Sequence, residues 1–362
     1  MNHSISRREL LAAALATGAT GVILPREASA QAAGAGAGAK RAGTSTAGKP
    51  YRIYAITFRG MTDVERGFEE HFAARKIPVQ IVYRDLNRDP KRFQGFIDEI
   101  RATKPDLVYT WGTTVTLGIV GPVGTPTPEK YISDIPVVFT LVASPQLAKI
   151  TKDDNTARPN ISGVVHIAPL SAQIKAISDY RPFKSIGVIY TPTEENSVVV
   201  LNELRGLAKE KGFEIVERPF KVDAATKKPL PDGAADLVRE IRDAKAQWLY
   251  LPPDSFLGLM AQDTIIPTAM NLGLPTFAST EQLMQAGALI GLISRYHSVG
   301  QYTGLKAEEI LVGKKAPNAV PVEPLKKFSY QIRISAAERL KLMPPLPMFN
   351  YAEILNEAPI SQ

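Results

Sequence analysis

The chain has 362 residues, 43 Lys and Arg against 36 Asp and Glu, 44% hydrophobic residues and no cysteine. Without cysteine there is no disulfide framework, thiolate metal centre, iron–sulfur cluster, cysteine nucleophile or lipidated-cysteine anchor. A charge of +7 spread over scattered Lys and Arg, with 7% aromatics, does not describe a nucleic-acid groove. At ~150 residues per domain the length suits about two domains, and the apolar fraction suits a packed core.

Residues 1–30 read as an export signal: a charged start, an apolar run over 10–24, and Ala28-Ser29-Ala30 before Gln31. The run is shorter than the ~20 residues of a membrane-spanning helix, so cleavage is expected. Ser6-Arg7-Arg8-x-Leu10-Leu11 resembles the twin-arginine signal, with general secretion as the alternative. Cleavage would remove Arg7, Arg8 and Arg26 with Glu9 and Glu27, one net positive charge. Residues 31–50 are low in complexity and lack large side chains, which reads as a disordered linker. Within it, Gly43 to Lys49 approaches a phosphate-binding loop. Pro50 stands where the magnesium-binding hydroxyl belongs, and a linker rather than a strand comes before, so that motif is excluded. The mature protein is expected to be soluble in the periplasm, with no lipid anchor.

From residue 51 the pattern alternates strand and helix. Strands are predicted at 51–56, 79–83, 107–109 and 135–139, with helices at 63–73, 90–103 and from 114. A second series starts at 161. It has helices at 171–179, 197–211, 233–244, 257–271 and 281–285 and strands at 185–190, 214–217, 247–251, 275–277 and 288–293. An amphipathic helix at 297–312 ends at Gly313 and precedes two β-like runs and a proline-rich tail. The fold class is therefore α/β, two doubly wound Rossmann-like lobes with mostly parallel sheets.

Ligands of such sheets sit outside the carboxyl ends of the strands. The first series places Phe58, Trp111, Thr113, Thr114 and Ser144 there; the second places Asn196, Ser197, Asp254 and Glu281 there, with Tyr296 just before the last helix. Hydroxyls and amides at helix N-termini can cap the helix or bind a ligand carboxylate with the same groups. Both series carry such groups, so a cleft between them suits a small polar or zwitterionic ligand with an apolar part. Thr113 and Thr114 would donate to a carboxylate, Asp254 would accept from an ammonium or other polar group, and Phe58 and Trp111 would cover the apolar part.

No Gly-x-Ser-x-Gly elbow or His-Glu-x-x-His motif is present. His3 belongs to the signal, and His71, His166 and His297 read as surface or packing residues. At least one of Glu194 and Glu195 reads as a solvated loop residue. No catalytic residue, cofactor or metal is expected.

Four stretches carry a resemblance: Ile135-Pro-Val-Val-Phe139 with Ser144-Pro145; Gly187-Val-Ile-Tyr190-Thr-Pro-Thr-Glu194-Glu-Asn196-Ser197; Leu249-Tyr-Leu-Pro-Pro253-Asp254; and Gly300-Gln-Tyr-Thr-Gly304 through Gly313-Lys-Lys-Ala-Pro317 to Val320-Pro321-Val322. Over about 51–345 the chain resembles the substrate-binding proteins of ABC transporters related to the tryptophan/tyrosine type, with the type I periplasmic-binding-protein fold. The resemblance implies three hinge crossings, with a first lobe of 51–165 plus 297–322, a second of 166–296 plus 323–345, and a tail at 346–362. It also implies capture of a small molecule by hinge closure and delivery to an inner-membrane permease, by a monomer without nucleic-acid partners. Three positions depart from the family pattern: Ser144 replaces an Asp, Arg333 an Asn and Lys341 a Gly. Loss of that Asp points to a different or less cationic ligand. Two alternatives share this reading in part, an extracytoplasmic sensor feeding a signalling receptor and an exported enzyme. A cytoplasmic sugar-binding regulator would need a helix-turn-helix where the signal stands.

Overall fold

The structure is a computed structural model that describes residues 49–125, 129–152 and 158–356. The expected signal, nearly all of the linker and the last residues of the tail lie outside that range.

The first sheet is built from β1 (Tyr51–Thr57), β2 (Val79–Asp85), β3 (Leu107–Trp111), β4 (Val137–Val142) and β5 (Ile161–Val165). Helices α1 (Asp63–Ala74), α2 (Phe93–Thr103) and α3 (Gly112–Val120) connect its strands. β3 and β4 are buried along their whole length, as a parallel sheet covered on both faces requires. The chain then crosses to α4 (Leu170–Tyr180), β6 (Ser185–Tyr190), α5 (Glu195–Lys211), β7 (Glu214–Pro219), α6 (Ala234–Asp243) and β8 (Trp248–Leu251). There follow α7 (Ser255–Met260), α8 (Ile266–Asn271), β9 (Thr276–Ala278), α9 (Glu281–Gln285) and β10 (Ile290–Ile293). It returns through α10 (Tyr296–Leu311) to β11 (Glu323–Pro324), then crosses again to β12 (Ser329–Arg333), α11 (Ile334–Leu340) and β13 (Glu353–Leu355).

Among the described residues the first sheet has the order β11-β5-β4-β3-β1-β2, and the second β13-β12-β10-β9-β8-β6-β7. All neighbours are parallel except β10 and β12. The α/β fold of two mostly parallel sheets is thus the one expected. Three crossings join them, after β5, after β10 and after β11.

Three expected boundaries differ. Residues 323–324 pair with β5, so the first sheet extends past 322. The segment read as a tail is partly structured: Met348 is buried and β13 pairs with β12, because its Glu-Ile-Leu run finds an open sheet edge. The single helix expected over 257–271 is broken by a π-helical turn at Ala261–Ile265. Pro267, without an N–H and with a ring that crowds the preceding turn, is the physical cause.

α10 is held to the first lobe by close packing on α1. A Cβ added to Gly300 would lie 1.9 Å from the Val64 carbonyl oxygen, and one on Gly67 2.1 Å from that of His297. Only glycine permits this approach. His71 Nε2 meets Glu308 and His297 Nε2 meets Glu70, each at 2.7 Å, across the same helix pair. The apolar cores lie on both faces of the first sheet, around Phe139 and around Phe68 and Tyr109, and in the second lobe around Trp248, Tyr250 and Phe277.

Candidate functional site

The strand order of each sheet reverses once. β1 lies between β2 and β3, and β6 between β7 and β8. A crevice opens outside the carboxyl ends of the strands at such a switch point. The two crevices line one cavity. Phe58 and Arg59 follow β1, Trp111 closes β3, Gly112 to Thr114 open α3, and Leu141 lies in β4. Opposite them, Glu194 and Asn196 follow β6, Pro253 to Ser255 follow β8, and Thr280 and Gln282 follow β9. His166 and Tyr296 enter from two of the crossings.

Gly112 makes the turn from β3 into α3 with φ +80°, and Leu141 takes φ +51° where the β4–β5 register shifts. The left-handed region suits glycine and is unusual for leucine, so the rim of the cavity is built on special backbone.

Among the described residues, hydrogen bonds that join the lobes include Arg59 Nη2 donating to Gln282 Oε1 at 2.5 Å, Thr113 Oγ1 to Asn196 Oδ1 at 3.2 Å, and Ser144 Oγ to Glu203 Oε2 at 2.6 Å. Asn196 Nδ2 also donates to the Pro253 carbonyl. The Arg59 guanidinium lies over the Trp111 ring, 5.5 Å from its centroid, and Phe58 stacks on Trp111 at 6.1 Å. The cavity these contacts bridge has room for several water molecules.

The second lobe supplies two carboxylates. Asp254 is buried and accepts from Thr191 N–H at 2.7 Å, Thr191 Oγ1 at 3.0 Å, Ser197 Oγ at 2.5 Å and the Leu257 N–H at 2.8 Å. Both Glu194 oxygens accept from the Ser255 N–H, at 2.9 and 3.0 Å, and the side chain stays partly open to the cavity. Among the described residues neither forms an ion pair within 4.0 Å. Burial, reinforced by the neighbouring Asp254, pushes the Glu194 carboxyl up to about 8. Burial also raises Asp254, against the pull of its four donors. His166 is driven down to about 4 by burial and is neutral. Its Nδ1 and the Trp111 Nε1 are buried without a hydrogen-bond partner among the described residues.

Seven expected site residues line the cavity: Phe58, Trp111, Thr113, Thr114, Asn196, Asp254 and Tyr296. Asp254, expected to meet the ligand, spends its acceptors on the protein and caps α7. Ser144, Ser197 and Glu281 fall outside. Ser144 is drawn to Glu203, Ser197 is fully buried against Asp254, and Glu281 accepts from the Tyr296 N–H at 2.6 Å and from Arg295 at 3.4 Å. Glu194, from the pair with Glu195 of which at least one reads as a solvated loop residue, and His166, read as a surface or packing residue, line the cavity, as do Arg59 and Gln282. The strand-end rule that selected Phe58 and Asn196 also reaches Arg59, next to Phe58, and Glu194, two residues before Asn196.

Among the described residues no group of three or more His, Asp or Glu could hold a metal ion, and no helix is long and apolar enough to cross a membrane.

The family model of the ABC transporter substrate binding protein matches residues 56–353. The chain belongs to this family. The chain is 25% identical over 251 residues to a tyrosine-binding protein of Clostridioides difficile, a match spanning 68% of this chain and 66% of that one, slightly under two thirds. A conserved domain protein from Vibrio cholerae superposes with a TM-score of 0.71 at 21% identity, covering 84% of this chain and 99% of the other. A domain from Streptococcus pneumonia in complex with L-Trp gives 0.68 at 20% identity, covering 83% and 99%. At these identities the structures show the shared fold, that of type I periplasmic binding proteins.

Proposed function

We propose that this protein is the periplasmic solute-binding component of an ABC importer. It captures a small zwitterionic or carboxylate-bearing molecule with an apolar part and hands it to an inner-membrane permease. The observation that carries the reading is one cavity lined by residues from the switch points of both lobes. Its first-lobe wall offers the hydroxyls of Thr113 and Thr114 at a helix N-terminus, the Arg59 cation and the Phe58–Trp111 surface. These suit a carboxylate and a ring. Its second-lobe wall offers Glu194 and Asn196, which suit a cationic or polar group. Closure about the three crossings would desolvate the ligand and replace the Thr113–Asn196 and Arg59–Gln282 bonds with bonds to it. The relatives described as binding tyrosine and L-Trp favour an aromatic amino acid as first candidate. In this reading the protein is exported through its N-terminal signal, works as a monomer and performs no chemistry on its cargo.

The test is a thermal-shift screen of the mature protein against amino acids and aromatic carboxylates, followed by calorimetry of any hit. A member of the panel should raise the melting temperature in proportion to its affinity. A panel without a binder would overturn the reading.

A further inference from the structure

Two carboxylates meet at the second-lobe wall of the cavity. Asp254 is buried and engaged by four donors, whereas Glu194, held by the Ser255 N–H and hydroxyl and the Phe256 N–H at the start of α7, keeps an open face on the cavity. The groups around it are Asp254 and Ser255 at the start of α7, Asn196 at the start of α5, His166 and Tyr296 from the crossings, and Arg59 from beyond β1. None of them balances its charge through an ion pair. His166 is neutral, and Arg59 is committed to Gln282 and the Trp111 ring. Two carboxylates side by side in a desolvated site cannot both stay ionised without a counter-charge.

We propose that Glu194 holds a proton in the unliganded cleft and exchanges it for the cationic group of the ligand, so that capture releases about one proton and selects molecules bearing an ammonium or similar cation. The inference deepens the proposed function and rests on the cleft being the ligand site. In the exchange the Glu194 O–H bond breaks and the proton goes to buffer, while the ligand keeps its own charge and takes up the vacated acceptor. The raised affinity of Glu194 for protons agrees with this. An ammonium ligand and a proton then compete for one site, and the affinity should weaken about tenfold per pH unit below neutrality.

The test titrates the mature protein with L-tyrosine and L-tryptophan, and with their des-amino carboxylates, by calorimetry at pH 7 in buffers of different ionisation enthalpy. The expected result is release of close to one proton with the amino acid, at least about tenfold weaker binding of the des-amino analogue, and loss of the release in Glu194→Gln. Binding heat independent of buffer, or equal affinity for the analogue, overturns the proposal. A ligand-free measurement decides the proton separately: the infrared spectrum at pH 6.5 should show a protonated-carboxyl C=O band that Glu194→Gln lacks. Absence of that band overturns the proposal even where an amino acid binds. Failure of every amino acid to bind would fall on the proposed ligand class, with the infrared band still reporting on Glu194.

Discussion

Four donors converge on the Asp254 carboxylate, and they explain why a residue with the right chemistry for an ammonium serves the fold instead. Its bonds tie β6, α5 and α7 together at the base of the cleft. Removing one donor leaves a buried carboxylate under-satisfied, at a cost of ~1–3 kcal/mol. Ser197→Ala should therefore lower the unfolding free energy by about that amount in chemical denaturation, while ligand affinity changes little. Glu194 carries a pH signature of its own. Its folded carboxyl binds protons more tightly than the unfolded one, so between its ordinary value of 4.5 and about 8 the native state holds the extra proton. Stability from this group is full below pH 4.5 and lost as pH rises through about 8. Denaturation of the unliganded protein at pH 5 and pH 8.5 should show the decline, and Glu194→Gln should flatten it. Phe58, Trp111 and Asn196 were legible because strand ends are visible in the pattern. The fate of Ser144, Ser197 and Glu281 was not, because it depends on partners at Glu203, Asp254 and Tyr296 that only the folded chain brings near.

Among elements, the α1–α10 pair decides where the cleft's second crossing lies. α10 begins at Tyr296, in the cavity wall, and its seat on α1 fixes that end. Gly300 and Gly304 were visible as part of a family motif, and their physical role is close helix approach: a Cβ on Gly304 would lie 2.7 Å from the Cβ of His71. Gly300→Ala must push the helices apart or distort them. Overpacking of this kind costs ~1–3 kcal/mol, which should appear as a lower denaturation midpoint at unchanged slope. The order of strands and helices was readable through β10 except at β5, whose residues were read as the start of the second series and pair with β4 in the first sheet, and at the divided helix over 257–271. β11 and β13 were not. They are two and three residues long, and their pairing with β5 and β12 is a property of the sheet edges rather than of their own composition.

At the scale of the molecule, the absence of cysteine leaves the apolar cores of the two lobes and three crossings to hold them. Val199 of α5 packs into the first lobe's core, and across the cleft the lobes are bridged by polar contacts such as Thr113 to Asn196 and Arg59 to Gln282. Such contacts are easily exchanged for contacts to a ligand, which is what capture by closure requires. The account's central claim is that both lobes grip the same ligand. Its most direct test is the calorimetric affinity of a single amino-acid ligand for the wild type, for Thr113→Val in the first lobe and for Glu194→Gln in the second. Each substitution is predicted to weaken binding at least about tenfold, or ~1.4 kcal/mol; wild-type affinity in either variant would contradict the claim.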